Sequence, residues 1–304
     1  MLSRRNVRIK IMQVLYATQR QEQPARHALG HFDRMVRTSF GLYLLNLLIL
    51  QRVAEYAKVD EATRRAKLRP SAEDKLFRAT LATNPSVSYL TDNRALSATY
   101  DRYRVRSQVD ADQVKALYRE FATSEAYQDY LAIHTPNREE TTAILLKLYK
   151  WLQGQDVFLA MIEDHYPLWE EDKSLVIGAI KKTIKALPAE REEFYRDYED
   201  NGEAVTDFGR RLLQFVTSAD EALLTRIKGV LENWDAERVA IVDMILIKMA
   251  LGEFLEFPSI PPIVTLNEYV DISKLYSTPK SKEFINGVLD KLLKQLQSEG
   301  LVGE

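Results

Sequence analysis

Three arginines crowd the start of the chain. In SRRNVRIKIMQVLYATQ, residues 3–19, Arg4, Arg5 and Arg8 fall in the first two turns of a segment with helical apolar spacing. A helix start carries partial positive charge, so each exposed cation there costs about 0.3–1 kcal/mol. A phosphate would reverse that sign, because it meets both the guanidinium forks and the free N–H groups of the first turn. Met1 to Gln21 holds five cations (Arg4, Arg5, Arg8, Lys10 and Arg20) and no acid. The alternative is an exposed leader whose charge only aids solubility.

A second candidate is KSKEFINGVLDKLLKQL, residues 280–296. Ile285, Val288, Leu289, Leu292 and Leu296 form its apolar face. Lys280, Lys282, Phe284 and Asn286 cluster at its start. A ring, an amide and ammonium groups at one helix start suit a splayed RNA base and its phosphate. Gly287, one turn inside, costs about 1 kcal/mol against Ala, so it suggests close approach of a backbone or ligand. The plainer alternative makes Phe284 core and Asn286 surface.

Other chemistry is missing. There is no Cys in the 304 residues, hence no thiolate nucleophile, thiolate metal site or disulfide. No glycine-rich phosphate loop or G-x-S-x-G elbow occurs. His27 and His31 are i, i+4, but Ala28 stands where a metalloprotease helix needs Glu, and two ligands make no zinc site. The carboxylate pairs Glu139/Glu140, Glu170/Glu171 and Glu192/Glu193 read as first-turn dipole partners or solvated faces. No catalytic residue, metal or cofactor is expected, and a binding protein is. A formal charge of −2 means that any nucleic-acid site is local.

The elements that must position these groups are helical. Helices are predicted from about Arg4 to Gln19, with Val7, Ile11, Val14, Leu15 and Thr18 inward and Arg5 and Arg8 beside that face, and from about His31 to Lys58. The run FGLYLLNLLIL, 40–50, is too short to span a bilayer, which needs about 20 residues, and reads as a buried core helix. Ser71 and Thr135 read as N-caps. Residues 91–109 lack a period and read as a loop. Further helices are expected at about 207–232, 236–255, 264–276 and 280–297, with Thr278 or Ser281 capping the last. With 46% apolar residues the chain can bury a real core, and the class is an all-α multi-helix bundle of a soluble, cytoplasmic protein.

The two ends together resemble the NusB family of bacterial transcription antitermination factors. RRNVRIKIMQVLYA is similar to the pattern R-R-x-A-R-E-x-A-x-Q-x-L-Y-A. From Trp234 and Arg238 the chain follows L-A-x-x-E (Ala250, Leu251 and Glu253 match), then I-P-x-x-V-x-x-N-E-x-V-x-x-A-K (Ile260, Pro261, Val264, Asn267, Glu268, Val270, Lys274). It closes on F-V-N-G-V-L-D-K, matched by Phe284, Asn286, Gly287, Val288, Leu289, Asp290 and Lys291.

The resemblance implies two small helical subdomains that bind boxA RNA of ribosomal RNA operons. The implied partner is NusE, the small-subunit ribosomal protein, within the antitermination complex of RNA polymerase, with no membrane involved. Carried across, it assigns Arg4, Arg5, Arg8, Lys282, Phe284 and Asn286 to RNA, and Glu237 and Asp243 to the partner, with Tyr16 either joining them or packing internally. The chain departs from the family in having about twice its length, Ile9-Lys10-Ile11 where E-x-A is usual, and Pro262 in the turn. The expected division is 1–57 and 205–304 for the NusB-like parts, with a helical insertion of unknown role at 58–204. Its basic stretches, Arg64–Arg69 and Arg102, Arg104 and Arg106 among Tyr100 and Tyr103, read as solvated connectors or as an extension of the RNA site. Two rival functions are a protein–protein scaffold, and a bare targeting module like the RNA-binding domain of ribosomal RNA cytosine methyltransferases.

Overall fold

The structure is a computed structural model that describes residues 2–21, 27–199, 202–231 and 239–303. Helices follow one another, and no strand occurs among the described residues: α1 (Arg4–Arg20), α2 (Ala28–Arg65), α3 (Ala72–Leu76), α4 (Thr80–Thr83), α5 (Pro85–Asp92), α6 (Arg94–Arg102), α7 (Ala111–Phe121) and α8 (Glu125–Ala132). Then come α9 (Arg138–Leu152), α10 (Asp156–Glu163), α11 (Trp169–Ala186), α12 (Arg211–Ser218), α13 (Asp220–Val230), α14 (Ile241–Glu256), α15 (Pro262–Tyr276) and α16 (Ser281–Ser298). The all-α class read from periodicity is the class observed.

The chain forms two compact units, Arg37–Glu199 and Leu2–Val36 with Asp200–Glu304. The division falls inside α2, which runs unbroken past the expected boundary at residues 57 and 58.

In the 37–199 unit, the apolar stretch of α2 is buried along its length, from Phe40 to Leu50. A helix apolar all round must be covered on every side. Its polar residues are satisfied internally. Asn46 donates to the Leu42 carbonyl at 2.9 Å and accepts from the Tyr149 hydroxyl at 3.0 Å. The Tyr43 hydroxyl lies 2.8 Å from that of Thr183. α9 and α11 therefore both pack on α2.

Several predicted ends moved. Residues 91–109 are not a loop: Asn93 caps α6, and a 3-10 turn covers Val105–Gln108. The period is hidden there because these helices are short. Asn137, not Thr135, caps α9, since Glu140 reaches back to the Asn137 N–H at 2.8 Å and closes a capping box.

The other unit holds α1, the start of α2 and α12–α16, with a π-helical turn over Ala204–Arg210 leading into α12. Val7, Ile11 and Val14 of α1 are fully buried. Gly209 explains how α1 comes so close to the π-helical turn. A Cβ at this position would sit 2.7 Å from Val7 Cγ1 and 2.8 Å from Phe32 Cζ. α14 is buried on nearly every side, including Glu253.

Candidate functional site

The first helix separates its three arginines. Ser3 caps α1 in a reciprocal pair with Asn6, which makes Arg4 and Arg5 the first two helical residues. Arg4 is half-exposed and its Nη2 lies 3.2 Å from Glu203 Oε1. Arg5 is also partly exposed, with Nη1 3.6 Å from Glu268 Oε1 and 3.7 Å from Asp271 Oδ2. These are surface pairs, worth about 0–1 kcal/mol, which an arriving phosphate can displace. The Asp271 carboxyl is held below its usual range, first by the hydrogen bond from Lys274 and also by the Arg5 charge.

Arg8 has a different fate from the one expected. It is buried at 3% exposure, and its guanidinium makes a fork on Glu253: Nε to Oε2 at 2.8 Å and Nη2 to Oε1 at 2.5 Å. Nη1 reaches Glu268 Oε2 at 3.4 Å. Glu253, at 0% exposure, also accepts from the Thr265 hydroxyl at 2.8 Å and the Tyr269 hydroxyl at 2.9 Å. The Phe208 ring centroid is 5.0 Å from the guanidinium carbon. Burial pushes the arginine's pKa down, but the Glu253 hydrogen bond and charge outweigh it and hold the group above its ordinary value. Burial, then the Glu253 charge, likewise raises Tyr269. Arg8 is thus a strut joining α1 to α14 and α15, out of reach of a surface phosphate. The reason is its place inside the apolar stripe, with Ile11 and Met12 at i+3 and i+4.

The start of α16 lies at the end of α15 reached by Arg5, since Asp271 is less than two turns from Tyr276. Lys282 and Asn286 are exposed and Phe284 is half-buried. No side chain caps this helix; Thr278 and Ser281 do not fill that role. Asp243 takes the hydroxyls instead, accepting from Ser277 at 2.5 Å and Ser281 at 2.7 Å. Asp243 is buried, so the expected partner contact is corrected to an internal anchor of the α16 start. Tyr16 is 39% exposed. Glu237, like Trp234 and Arg238, lies outside the described residues.

Gly287 does not mark a close approach within the fold: a Cβ there would meet nothing within 4 Å. Gly287→Ala should therefore stabilise the chain by about 0.5–1 kcal/mol through helix propensity. If RNA lies against this backbone, the same variant should bind it more weakly. Thermal denaturation and RNA titration read the two effects separately, and unchanged stability would refute the first.

The 64–69 basic stretch is largely neutralised. Arg64 pairs with Asp60 at 3.0 Å, Arg65 with Glu61, and Lys67 with Asp74 at 2.8 Å. The Lys67 hydrogen bond, then the Ser71 N–H, hold Asp74 down at about 2. Among the described residues, no group of three or more His, Asp or Glu is placed to hold a metal ion. No helix among the described residues is long and apolar enough to cross a membrane.

Sequence reasoning named Glu253 as a motif match but missed its pairing with Arg8, and missed Thr265 and Tyr269 altogether. One signal was present: in IVDMILIKMALGEFLE a carboxylate stands inside an apolar helix and needs a buried partner.

Known proteins bear on these residues. The NusB family model matches residues 170–294. The chain is 36% identical over 126 residues to the transcription antitermination protein NusB of Salinibacter ruber (strain DSM 13855 / M31), covering 40% of this chain and 72% of that protein. The NusB protein of Chloroherpeton thalassium (strain ATCC 35110 / GB-78) is 35% identical over 96 residues, 32% of this chain and 46% of its own length. That of Koribacter versatilis (strain Ellin345) is 35% identical over 106 residues, 35% and 73% respectively. No solved structure matches.

Proposed function

The chain belongs to the NusB family, and on that premise we propose that it is a non-enzymatic, cytoplasmic RNA-binding antitermination factor. It binds boxA-type RNA of ribosomal RNA operons together with NusE and promotes read-through by RNA polymerase. The unit of residues 2–36 and 200–304 carries both helix starts proposed to meet RNA, and the family match at residues 170–294 begins inside the other unit, residues 37–199.

One observation carries the reading. Among the described residues, Arg4 and Arg5 at the start of α1 pair with surface carboxylates, Arg4 also lying over the Phe208 ring at 5.8 Å, and Lys282, Phe284 and Asn286 stand at the start of α16. Two cationic helix starts with an aromatic ring suit single-stranded RNA, whose phosphates are held by charge and whose bases are stacked. Arg8 serves by fixing α1 rather than by touching RNA. Tyr16 and Glu237 remain the proposed NusE contacts.

The test is fluorescence anisotropy of a short boxA RNA against a scrambled one, with and without NusE. The expected result is a boxA preference that NusE strengthens. Arg4→Ala/Arg5→Ala should weaken binding and lower the slope of log affinity against log salt by about 1.4, at roughly 0.7 per phosphate contact on a single strand. Equal, weak binding to both RNAs that the variant leaves untouched would refute the reading and favour the scaffold rival.

A further inference from the structure

The unit of residues 37–199 has a hollow of its own, independent of the boxA reading. Two adjoining cavities, of about 380 Å³ and about 310 Å³, open along one side of α2 and share Arg52, Glu55, Val59 and Arg106. Each falls at the small end of the size range of ligand pockets, about 300–1,000 Å³. The larger has apolar walls, with Leu48, Val109 and Val114 around Val59. The smaller is polar, with Gln51, Lys58, Thr91 and Ser97.

The charged groups between them are pre-positioned. Arg104 takes a left-handed backbone, φ 56° and ψ 28°, and the turn after it brings Arg106 back onto α6. A residue with a Cβ adopts that conformation against a steric penalty, so the turn is held by its surroundings. Arg106 is then held by Asp101 at 2.8 Å and Ser97 at 2.6 Å, over the Tyr100 ring at 5.5 Å. Its Nη1 has no partner among the described residues. Arg52 gives one N–H to Glu55 at 3.3 Å, which leaves its other donors open, and Lys58 has no partner among the described residues. Glu55 in turn accepts from Gln51 at 2.8 Å and Thr91 at 2.6 Å. A carboxylate offers about four acceptor positions, so one remains.

From this arrangement we propose that the hollow binds a nucleotide. The base lies against the apolar wall, the phosphate meets the open donors of Arg52, Arg106 and Lys58, and a ribose hydroxyl donates to Glu55. Arginine forks match phosphate oxygens in pairs, and a carboxylate beside them suits a sugar hydroxyl but repels a second anion. A plain inorganic anion would leave the apolar wall unused. An acidic peptide would bring its own carboxylates against Glu55, and like charges repel there. The nucleotide can come from a free pool or from an RNA strand.

Isothermal titration calorimetry of the full chain tests this with adenosine 5′-monophosphate, the dinucleotide uridylyl-adenosine, inorganic phosphate and an oligoglutamate peptide. Nucleotide binding should weaken at least tenfold in Arg52→Gln/Arg106→Gln. Because Arg106 also braces its loop, Val59→Trp is the second variant: it fills the apolar half from a position already 49% exposed and breaks no ion pair. It should abolish nucleotide binding while circular dichroism and boxA affinity stay as in wild type. Preference for the mononucleotide assigns the free source, and preference for the dinucleotide assigns RNA. The proposal is overturned if wild type binds neither nucleotide at millimolar concentration. It is also overturned if both variants bind like wild type, or if phosphate or the peptide binds as tightly. Loss of boxA preference in wild type would refute the antitermination reading and leave this one standing.

Discussion

Arg8→Ala should destabilise the chain by about 3–5 kcal/mol, the usual result of removing one partner from a buried ion pair. The loss is that large because of what remains. Glu253 is fully buried, and with Arg8 gone the hydroxyls of Thr265 and Tyr269 are its remaining hydrogen-bond donors among the described residues. A buried anion without its counter-charge carries a desolvation penalty of several kcal/mol.

Arg8→Lys should recover only part of the loss, since one ammonium cannot reproduce the fork at 2.8 and 2.5 Å. Arg8→Met/Glu253→Leu should be far more stable than Arg8→Ala, because it removes both charges together. Urea denaturation reads all three. A loss below about 1 kcal/mol for Arg8→Ala, with RNA affinity falling in a fully folded protein, would restore Arg8 to the RNA surface. In RNA assays, therefore, Arg8→Ala reports folding, and Arg4 and Arg5 are the arginines that report contact.

The second large effect is expected at Phe284. Stacking of a base on an aromatic side chain is worth about 1–3 kcal/mol by alanine substitution. Phe284→Ala should thus weaken boxA binding by roughly fivefold to 150-fold, at about 1.4 kcal/mol per factor of ten. The ring is half-buried at the start of α16, so part of any loss could come from a loosened helix. Phe284→Leu separates the two causes: it keeps apolar bulk and removes the π face. Anisotropy titration at fixed salt should show both variants weakened and only the alanine variant less stable. Leucine binding as tightly as phenylalanine would mean that the ring acts as core and that no base stacks on it.

Much of the architecture is legible residue by residue. The 3.6-residue period fixed the all-α class, because amphipathic spacing is a local property. Ser71 caps as its type implies, and the apolar 40–50 run had to be buried whatever surrounds it. The helix at 281–298 and its apolar face were readable for the same reason. So was the concentration of cations at the start of the chain.

Tertiary structure decided what each charge does. Arg5 and Arg8 are the same residue type three positions apart on one helix, and nothing local separates their fates. Arg8 meets Glu253, which is 245 positions away in sequence, whereas Arg5 meets exposed carboxylates. Asp243 was an acid near a helix start until the fold brought Ser277 and Ser281 onto it. The division of the chain was also hidden, since the backbone of α2 stays helical through residues 36 and 37, where one compact unit gives way to the other. Periodicity records which face of a helix is apolar. It carries no record of which distant element covers that face, and the partner chosen there makes one arginine a strut and leaves another open to a ligand.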